Sequence, residues 1–288
     1  MRIGLFLLTN LGVLLVASLV LKLLGVNTQS MAGLLIFAAI LGFGGSLISL
    51  MLSKTIALKS TGARIIAQPS NSTERWLVET VQRQSQQAGI GMPDVAIFDA
   101  AEMNAFATGA NRNKALVAVS TGLLQQMPPD EVEAVLAHEV AHVANGDMIT
   151  MALLQGVLNT FVIVLSRIIA SVVDNALKRD QEESSGPSFT FYIVATIMEI
   201  VLGILATMVA MWFSRRREFR ADAGGASLAT RDKMIAALAR LKRGAPSSLP
   251  SEVAAFGISG GGASDLLKKL FLTHPPLDER IEALRRGN

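Results

Sequence analysis

The sequence predicts a mainly α integral membrane protein, with four transmembrane helices and an α+β domain on one side of the bilayer that contains a small β-sheet. Three observations carry this expectation. Hydrophobic residues make up 51% of the 288-residue chain and charged residues only 17%, against about 25% charged in an average soluble domain. Four stretches are apolar for long enough to cross about 30 Å of hydrocarbon. Between and after them, helix caps, turn residues and short β-branched runs have the pattern of a folded domain. The chain has no cysteine, which excludes a disulfide framework, a Cys-ligated metal and a Cys nucleophile. The net charge of +3 gives no reason to expect a nucleic-acid partner.

The expected spans are residues 3–21, 31–53, 148–173 and 189–213. The first two carry no charge. The third contains Arg167 and the fourth Glu199. A first span of this length, followed at once by a second and by no small-residue cleavage site, reads as a membrane helix rather than a signal peptide. Basic residues set the orientation. Arg2, Lys54, Lys59, Arg64, Arg215, Arg216, Arg217 and Arg220 fall on one side, and Lys22, Lys178 and Arg179 on the other. The richer side is expected to be cytoplasmic, with both termini there. Arg215 to Arg217 would then anchor the fourth span at the headgroups. Arg167 and Glu199 come at similar depths in neighbouring spans, and an intramembrane charge is costly unless paired. An ion pair between them, direct or bridged by water, is therefore expected, with a structural role.

The chain thus divides into 1–53 (two N-terminal spans), 54–147 (a cytoplasmic part), 148–213 (a hairpin of spans three and four) and 214–288 (a second cytoplasmic part). In the first cytoplasmic part, Asn71-Ser-Thr-Glu74 has the spacing of a capping box. It opens a helix that turns Trp76, Leu77 and Val81 inward and stops near Gly89. Residues 95–98, 104–108 and 115–119 read as short strands, and 109–114 as a hairpin turn by composition. A helix starts near Pro128-Pro129-Asp130-Glu131 and ends at Asn145-Gly146. In the second part, 231–243 and 276–286 look helical. Residues 244–264 between them are rich in Gly, Ser and Pro, as expected of a loop.

The chemistry begins at His138-Glu139-Val140-Ala141-His142. Positions i and i+4 share one face of a helix, so both imidazoles can reach one metal. Glu139 lies on the neighbouring line, where its carboxylate can reach a water at that metal. The motif sits in a helix with apolar periodicity (Val132, Val135, Leu136, Val143), so coincidence is a poor account of it. A catalytic zinc takes three protein ligands and leaves one position open. Only His274 remains among the histidines, so a carboxylate is the natural third ligand. Glu218 is the best candidate, because it follows span four on the side where the motif helix enters span three. Asp222, four residues on, could accept a hydrogen bond from a ligand imidazole and fix its tautomer. His274, before Pro275-Pro276, could be a surface residue or the donor to a developing oxyanion.

Together, His138-Glu-Val-Ala-His142, Asn145-Gly-Asp147, Arg217-Glu-Phe-Arg-Ala-Asp222 and Thr273-His-Pro-Pro276 resemble the gluzincin membrane proteases related to the CAAX prenyl proteases. Met103-Asn-Ala-Phe-Ala-Thr-Gly109 and Phe256-Gly-Ile-Ser-Gly260 extend the resemblance over most of the chain. It implies a zincin-type domain holding one Zn2+ per chain. His138, His142 and Glu218 would be the ligands and Glu139 the catalytic base, with Asn104 and His274 engaging substrate. It also implies a multi-pass protein of the bacterial inner membrane, active on the cytoplasmic side. Its role would be quality control of misfolded or damaged membrane and cytoplasmic proteins under stress.

The expected activity is that of a zinc metalloendopeptidase whose partners are polypeptides and the lipid bilayer. The strand at 104–108 could pair with an extended substrate through main-chain hydrogen bonds, which tolerate many sequences. A scaffold with a structural zinc is the alternative, but it would have no use for Glu139. A transporter is a further alternative. The spans lack the broken paired segments that a midplane site needs.

Overall fold

The computed structural model describes residues 30–178, 187–244 and 274–287. The expected span at 3–21, the first outer loop, residues 179–186 of the second, most of the Gly/Ser/Pro-rich stretch, and Phe256–Gly260 lie outside the described residues. The described chain runs α1 (Met31–Thr61), β1 (Arg64–Ile65), α2 (Ser72–Gln87), β2 (Asp94–Phe98), β3 (Ala105–Thr108), β4 (Leu116–Ser120), α3 (Thr121–Gln126) and α4 (Pro129–Asn145). It continues with α5 (Asp147–Leu177), α6 (Phe189–Leu228), α7 (Arg231–Gly244) and α8 (Leu277–Arg286).

Three of these helices, α1, α5 and α6, are long and apolar enough to cross a membrane. Each continues past its apolar run. The helix that holds the fourth expected span continues past 213, because no Gly or Pro interrupts the chain between Arg215 and Asp222 and nothing there stops a helix. α6 therefore carries Glu218 and Asp222 on the same continuous rod as the span. The chain divides into two compact units, Met1–Ile48 with Ala152–Thr207, and Ser49–Met151 with Met208–Asn288.

In the first unit, α1 and α5 approach closely through glycine. A Cβ on Gly42 would lie 2.7 Å from the Thr160 backbone N, and one on Gly156 would overlap the Phe43 ring. Small residues permit this approach between apolar helices. Thr160 donates to the Ala38 carbonyl (3.3 Å) and to that of Gly156 (2.8 Å). Arg167 follows Thr160 by seven residues and so shares its face. Its guanidinium lies over the Phe37 ring of α1, 5.0 Å from the centroid, and its Nε is buried without a hydrogen-bond partner. The direct form of the expected ion pair with Glu199 is not formed among the described residues, where the guanidinium meets the Phe37 ring instead. Similar depth set both charges at one height, but helix rotation aims Arg167 at α1.

The second unit contains a four-stranded sheet in the order β1-β2-β4-β3. β2 and β4 are parallel, and β3 runs antiparallel to β4 with Ala105 opposite Val119. The hairpin expected around 109–114 is present, with Gly109 at φ 138. β1 and the short α3 were not legible in the sequence, since two residues and six residues are too short for a periodicity. β3 is an edge strand, and all five residues of β4 are buried. Against the sheet pack α2 and α4, whose Leu77, Val81, Val132, Leu136 and Val140 form the core with Val117 and Val119.

Asn71 caps α2 by accepting from Glu74 N at 2.8 Å. Glu74 reaches back one residue further than a capping box requires. It accepts from the backbone N and the hydroxyl of Ser70, both at 2.9 Å, and pairs with Arg64 at 2.5 Å. The Ser70 backbone N–H, then Arg64, hold its carboxyl at about 2. α4 and α7 are tied by ion pairs: Arg240 with Glu131, and Lys233 with Asp130 (2.8 Å) and Glu133 (2.6 Å).

Candidate metal centre

α4 begins at Pro129, where a missing N–H costs nothing, and Asp130 and Glu131 in its first turn complement the helix dipole. It ends at Gly146, which is left-handed with φ 68 and donates its N–H to the carbonyls of His142 and Val143. α5 then starts at once with Asp147. This turn brings the buried Asp147 carboxylate back to His142, with 2.6 Å between Oδ2 and Nδ1.

His138 and His142 are both buried on one face of α4. α6 crosses that helix at Gly224-Gly225. A Cβ on Gly224 would lie 2.9 Å from Ala141 Cβ, and one on Gly225 would lie 3.0 Å from His138 N. No larger residue allows the two backbones this close. The approach sets Asp222 and Glu218, about one and two turns before the glycines, against the two rings. Glu218 lies 3.5 Å from His138 Nε2 and 3.3 Å from His142 Nε2. The two Nε2 atoms are 3.1 Å apart. His138 Nδ1 is 3.0 Å from Asp222 Oδ1.

The outer contacts fix what the inner atoms can do. Asp222 and Asp147 can only accept, so each ring carries its proton on Nδ1. Both Nε2 lone pairs then face each other and the Glu218 carboxylate. Both Glu218 oxygens are buried, and no donor reaches either with hydrogen-bond geometry although ring nitrogens lie close. Three basic atoms converging with their lone pairs unsatisfied fit a bound cation. His138, His142 and Glu218 offer ligand atoms within 4.8 Å of one another. Two imidazoles and a carboxylate, each imidazole backed by a second carboxylate, is a donor set suited to zinc.

Without a metal, the same atoms share protons. Burial pushes the His142 ring down, but Asp147 and Glu218 outweigh it and hold the ring up at about 9. Burial likewise opposes the charge on His138, and Asp222 and Glu218 raise it. Burial works against the Glu218 carboxylate too, yet His138, His142 and His274 hold it far below the usual range. Metal binding at such a site displaces protons from the rings.

Glu139 is half-buried and opens onto a cavity of about 140 Å³ together with His138, Asn104 and His274. Asn104 immediately precedes the edge strand β3. His274 is exposed, with Nδ1 2.8 Å from Glu218 Oε2. The expected site residues thus come together around one cavity and one cluster. Leu123, Val135, Met234 and Leu238 give the cavity an apolar wall.

Two residues at the site were not singled out in the sequence. Arg280 is buried on α8 and grips Asp222 with two hydrogen bonds, at 2.7 and 2.6 Å. Its nearest sequence signal is a helix start after Pro275-Pro276. Asp147, the partner of His142, follows the Asn-Gly that closes α4. Arg220 reaches Asp147 Oδ1 at 3.1 Å.

A family described as Peptidase family M48 matches residues 71–287. A protein named Protease HtpX from Xanthomonas campestris pv. campestris (strain B100) is 64% identical over 288 residues, covering 100% of this chain and 98% of that protein. The Protease HtpX of Xanthomonas euvesicatoria pv. vesicatoria (strain 85-10) is 65% identical with the same coverage. Among solved structures, the crystal structure of S. mikatae Ste24p has a similar fold, with a TM-score of 0.68 at 15% identity. That likeness covers 98% of this chain, which spans only 64% of the Ste24p chain.

Proposed function

We propose that this chain, which belongs to peptidase family M48 and is a metallopeptidase, is a zinc-dependent endopeptidase that cuts unfolded polypeptides at a membrane. The observation that carries the reading is the convergence of two imidazole Nε2 atoms on the orphaned Glu218 carboxylate, with each Nδ1 backed by an aspartate. His138, His142 and Glu218 would hold one Zn2+. Bound there, zinc would supply Lewis acidity and lower the pKa of water toward about 7.

The chain's own residues do the rest. Glu139 takes the water proton and passes it to the leaving amine. His274 donates toward the oxyanion that develops on the scissile carbonyl. Asp147 and Asp222 hold the two rings in the Nδ1–H tautomer, and Arg280 holds Asp222. The free edge of β3 accepts an extended substrate as an added strand, with Asn104 engaging its backbone. Main-chain recognition suits substrates that have lost their fold, such as damaged membrane and cytoplasmic proteins in quality control. The same reading has four transmembrane helices in a bacterial inner membrane, with both termini and the site cytoplasmic. The distribution of basic residues around the spans supports that orientation.

The test pairs metal analysis with casein cleavage for the purified wild type and Glu139→Gln. Zinc content should match in the two, and cleavage should fall by about 10²–10⁴ in the variant, the usual contribution of a general base. Wild-type cleavage by Glu139→Gln would refute the assignment.

A further inference from the structure

β4 ends at Ser120, whose side chain is buried. A hydroxyl has one proton to give and two lone pairs to offer, and Ser120 uses all three. Its Oγ accepts from Leu123 N at 3.0 Å, accepts from Asn104 N at 3.0 Å and donates to the Glu102 carbonyl at 2.7 Å. The first bond is the ordinary N-cap of α3. The other two are no part of a cap. They reach back to the segment that leads into the edge strand β3.

The register of the sheet shows what the bond to Asn104 does. Ala105 pairs with Val119, so Asn104 falls opposite Ser120. Ser120 N donates to the Asn104 carbonyl at 2.9 Å, as a continued ladder requires. The return bond of such a pair would run from Asn104 N to the Ser120 carbonyl, but it runs to the hydroxyl instead. One residue therefore holds both backbone groups of Asn104. What remains of Asn104 is an exposed side chain, beside the cavity that it lines with His138, Glu139 and His274. The start of α3 holds the rest of the segment. Gly122 N donates to the Ala100 carbonyl and Gln126 Nε2 to that of Ala101, both at 2.8 Å. A Cβ on Gly122 would lie 2.2 Å from the Ala101 oxygen, so only glycine admits this approach.

We propose that Ser120 is a positioning residue for substrate binding, which sets where the Asn104 amide meets the substrate backbone. This rests on the reading that Asn104 engages substrate. Ser120 does not itself line the cavity, so it acts through Asn104. A contact group held in place beforehand has less freedom to lose when substrate arrives.

The test uses the zinc-loaded, full-length protein in detergent with an unstructured fluorogenic peptide. Ser120→Ala should raise KM about fivefold, the worth of one lost hydrogen bond. Its kcat should stay within about twofold of wild type, because the lost contact serves ground and transition states alike. Asn104→Ala should behave the same way, and the double variant should be no worse than Asn104→Ala alone. Asn71→Ala removes the comparable cap of α2; it should cost stability and leave both constants unchanged. If Ser120→Ala does not accumulate, Gln126→Ala, on the exposed side of the same contact, carries the test and should raise KM by a smaller factor. A wild-type KM in Asn104→Ala refutes the substrate role of Asn104, and the positioning falls with it. A raised KM there beside a wild-type KM in Ser120→Ala (or in Gln126→Ala, where that carries the test) overturns the positioning alone, as do losses that add in the double variant.

A second measurement needs neither activity nor zinc. Amide hydrogen exchange in the metal-free protein, read on overlapping peptides, should quicken in Ser120→Ala at Asn104 as well as at Leu123. Quickening at Leu123 alone would leave Ser120 a helix cap and overturn the proposal.

Discussion

Each of the two compact units holds charge among apolar side chains, and the two solve that problem differently. In the membrane-type unit, Arg167 rests on the Phe37 ring with its Nε unpartnered, and Glu199 does not meet it. In the other unit, Glu218, Asp222, Asp147, His138, His142 and Arg280 are all buried or nearly so and linked into one network. A solitary charge can be held by a ring face and its own apolar stem. Six ionisable groups cannot, and each is matched by an opposite charge or by the metal the cluster would hold. The first arrangement is a local accommodation. The second is a set of mutual dependencies, and it should fail accordingly.

The largest effect is expected at the centre of the network. Glu218→Ala removes one of three ligand groups and leaves two buried imidazoles facing each other. Zinc measured after gel filtration should fall to background, and casein cleavage with it. Full zinc occupancy in that variant would move the third ligand elsewhere, with His274 the nearest candidate.

Next comes the outer layer. Arg280→Leu strands Asp222, whose charge is buried and held low by Arg280 and His138 against the opposing effect of burial. Breaking a buried pair from one side costs about 3–5 kcal/mol. Urea unfolding should register this, and metal affinity should weaken by about 10–100-fold. The double variant Asp222→Asn/Arg280→Leu should recover much of the stability. A single variant as stable as wild type would show that the network is not interdependent.

The membrane-type unit should behave in the opposite way. Arg167→Leu and Glu199→Leu do not share a contact, so their effects on thermal inactivation in detergent should add within about 0.3–0.5 kcal/mol. A double variant no worse than either single would mean that the charges do meet, and the contrast between the units would collapse.

The smallest expected effect lies at the start of α2. Glu74 is held at about 2 against its usual 4.5, through the Ser70 backbone N–H first and then Arg64. A lowered carboxyl stabilises the fold fully above the unfolded value and loses that contribution as pH falls through the folded one. Glu74→Gln should therefore be less stable than wild type at neutral pH, with the gap closing between about pH 4.5 and 2. A gap of constant size down to pH 2 would refute the assigned shift.

Much of the site was legible before any coordinates. The i, i+4 histidines on an amphipathic helix dictate a shared face. Glu218 and Asp222 were legible because no breaker interrupts the helix between them, and Glu139 because it neighbours the first histidine. The strands at 95–98, 104–108 and 115–119 were readable from β-branched residues between turn signals. What escaped was partnership at long range. Nothing near Arg280 marks it as the clamp on a carboxylate 58 positions earlier, and Asp147, though part of the Asn145-Gly-Asp147 motif, carries no local mark of its partnership with His142.

The sequence alone determined most of the long helices, which of them are apolar enough to cross a membrane and which residue types gather the chemistry, because periodicity and spacing are local properties. Only the tertiary structure decided how helices rotate about their own axes and how closely they pass. Rotation turned Arg167 toward Phe37 instead of Glu199. Close passage at Gly224-Gly225 brought the Glu218 helix within ligand distance of His138 and His142. Both depend on side chains from distant segments filling shared space, and no local pattern records that.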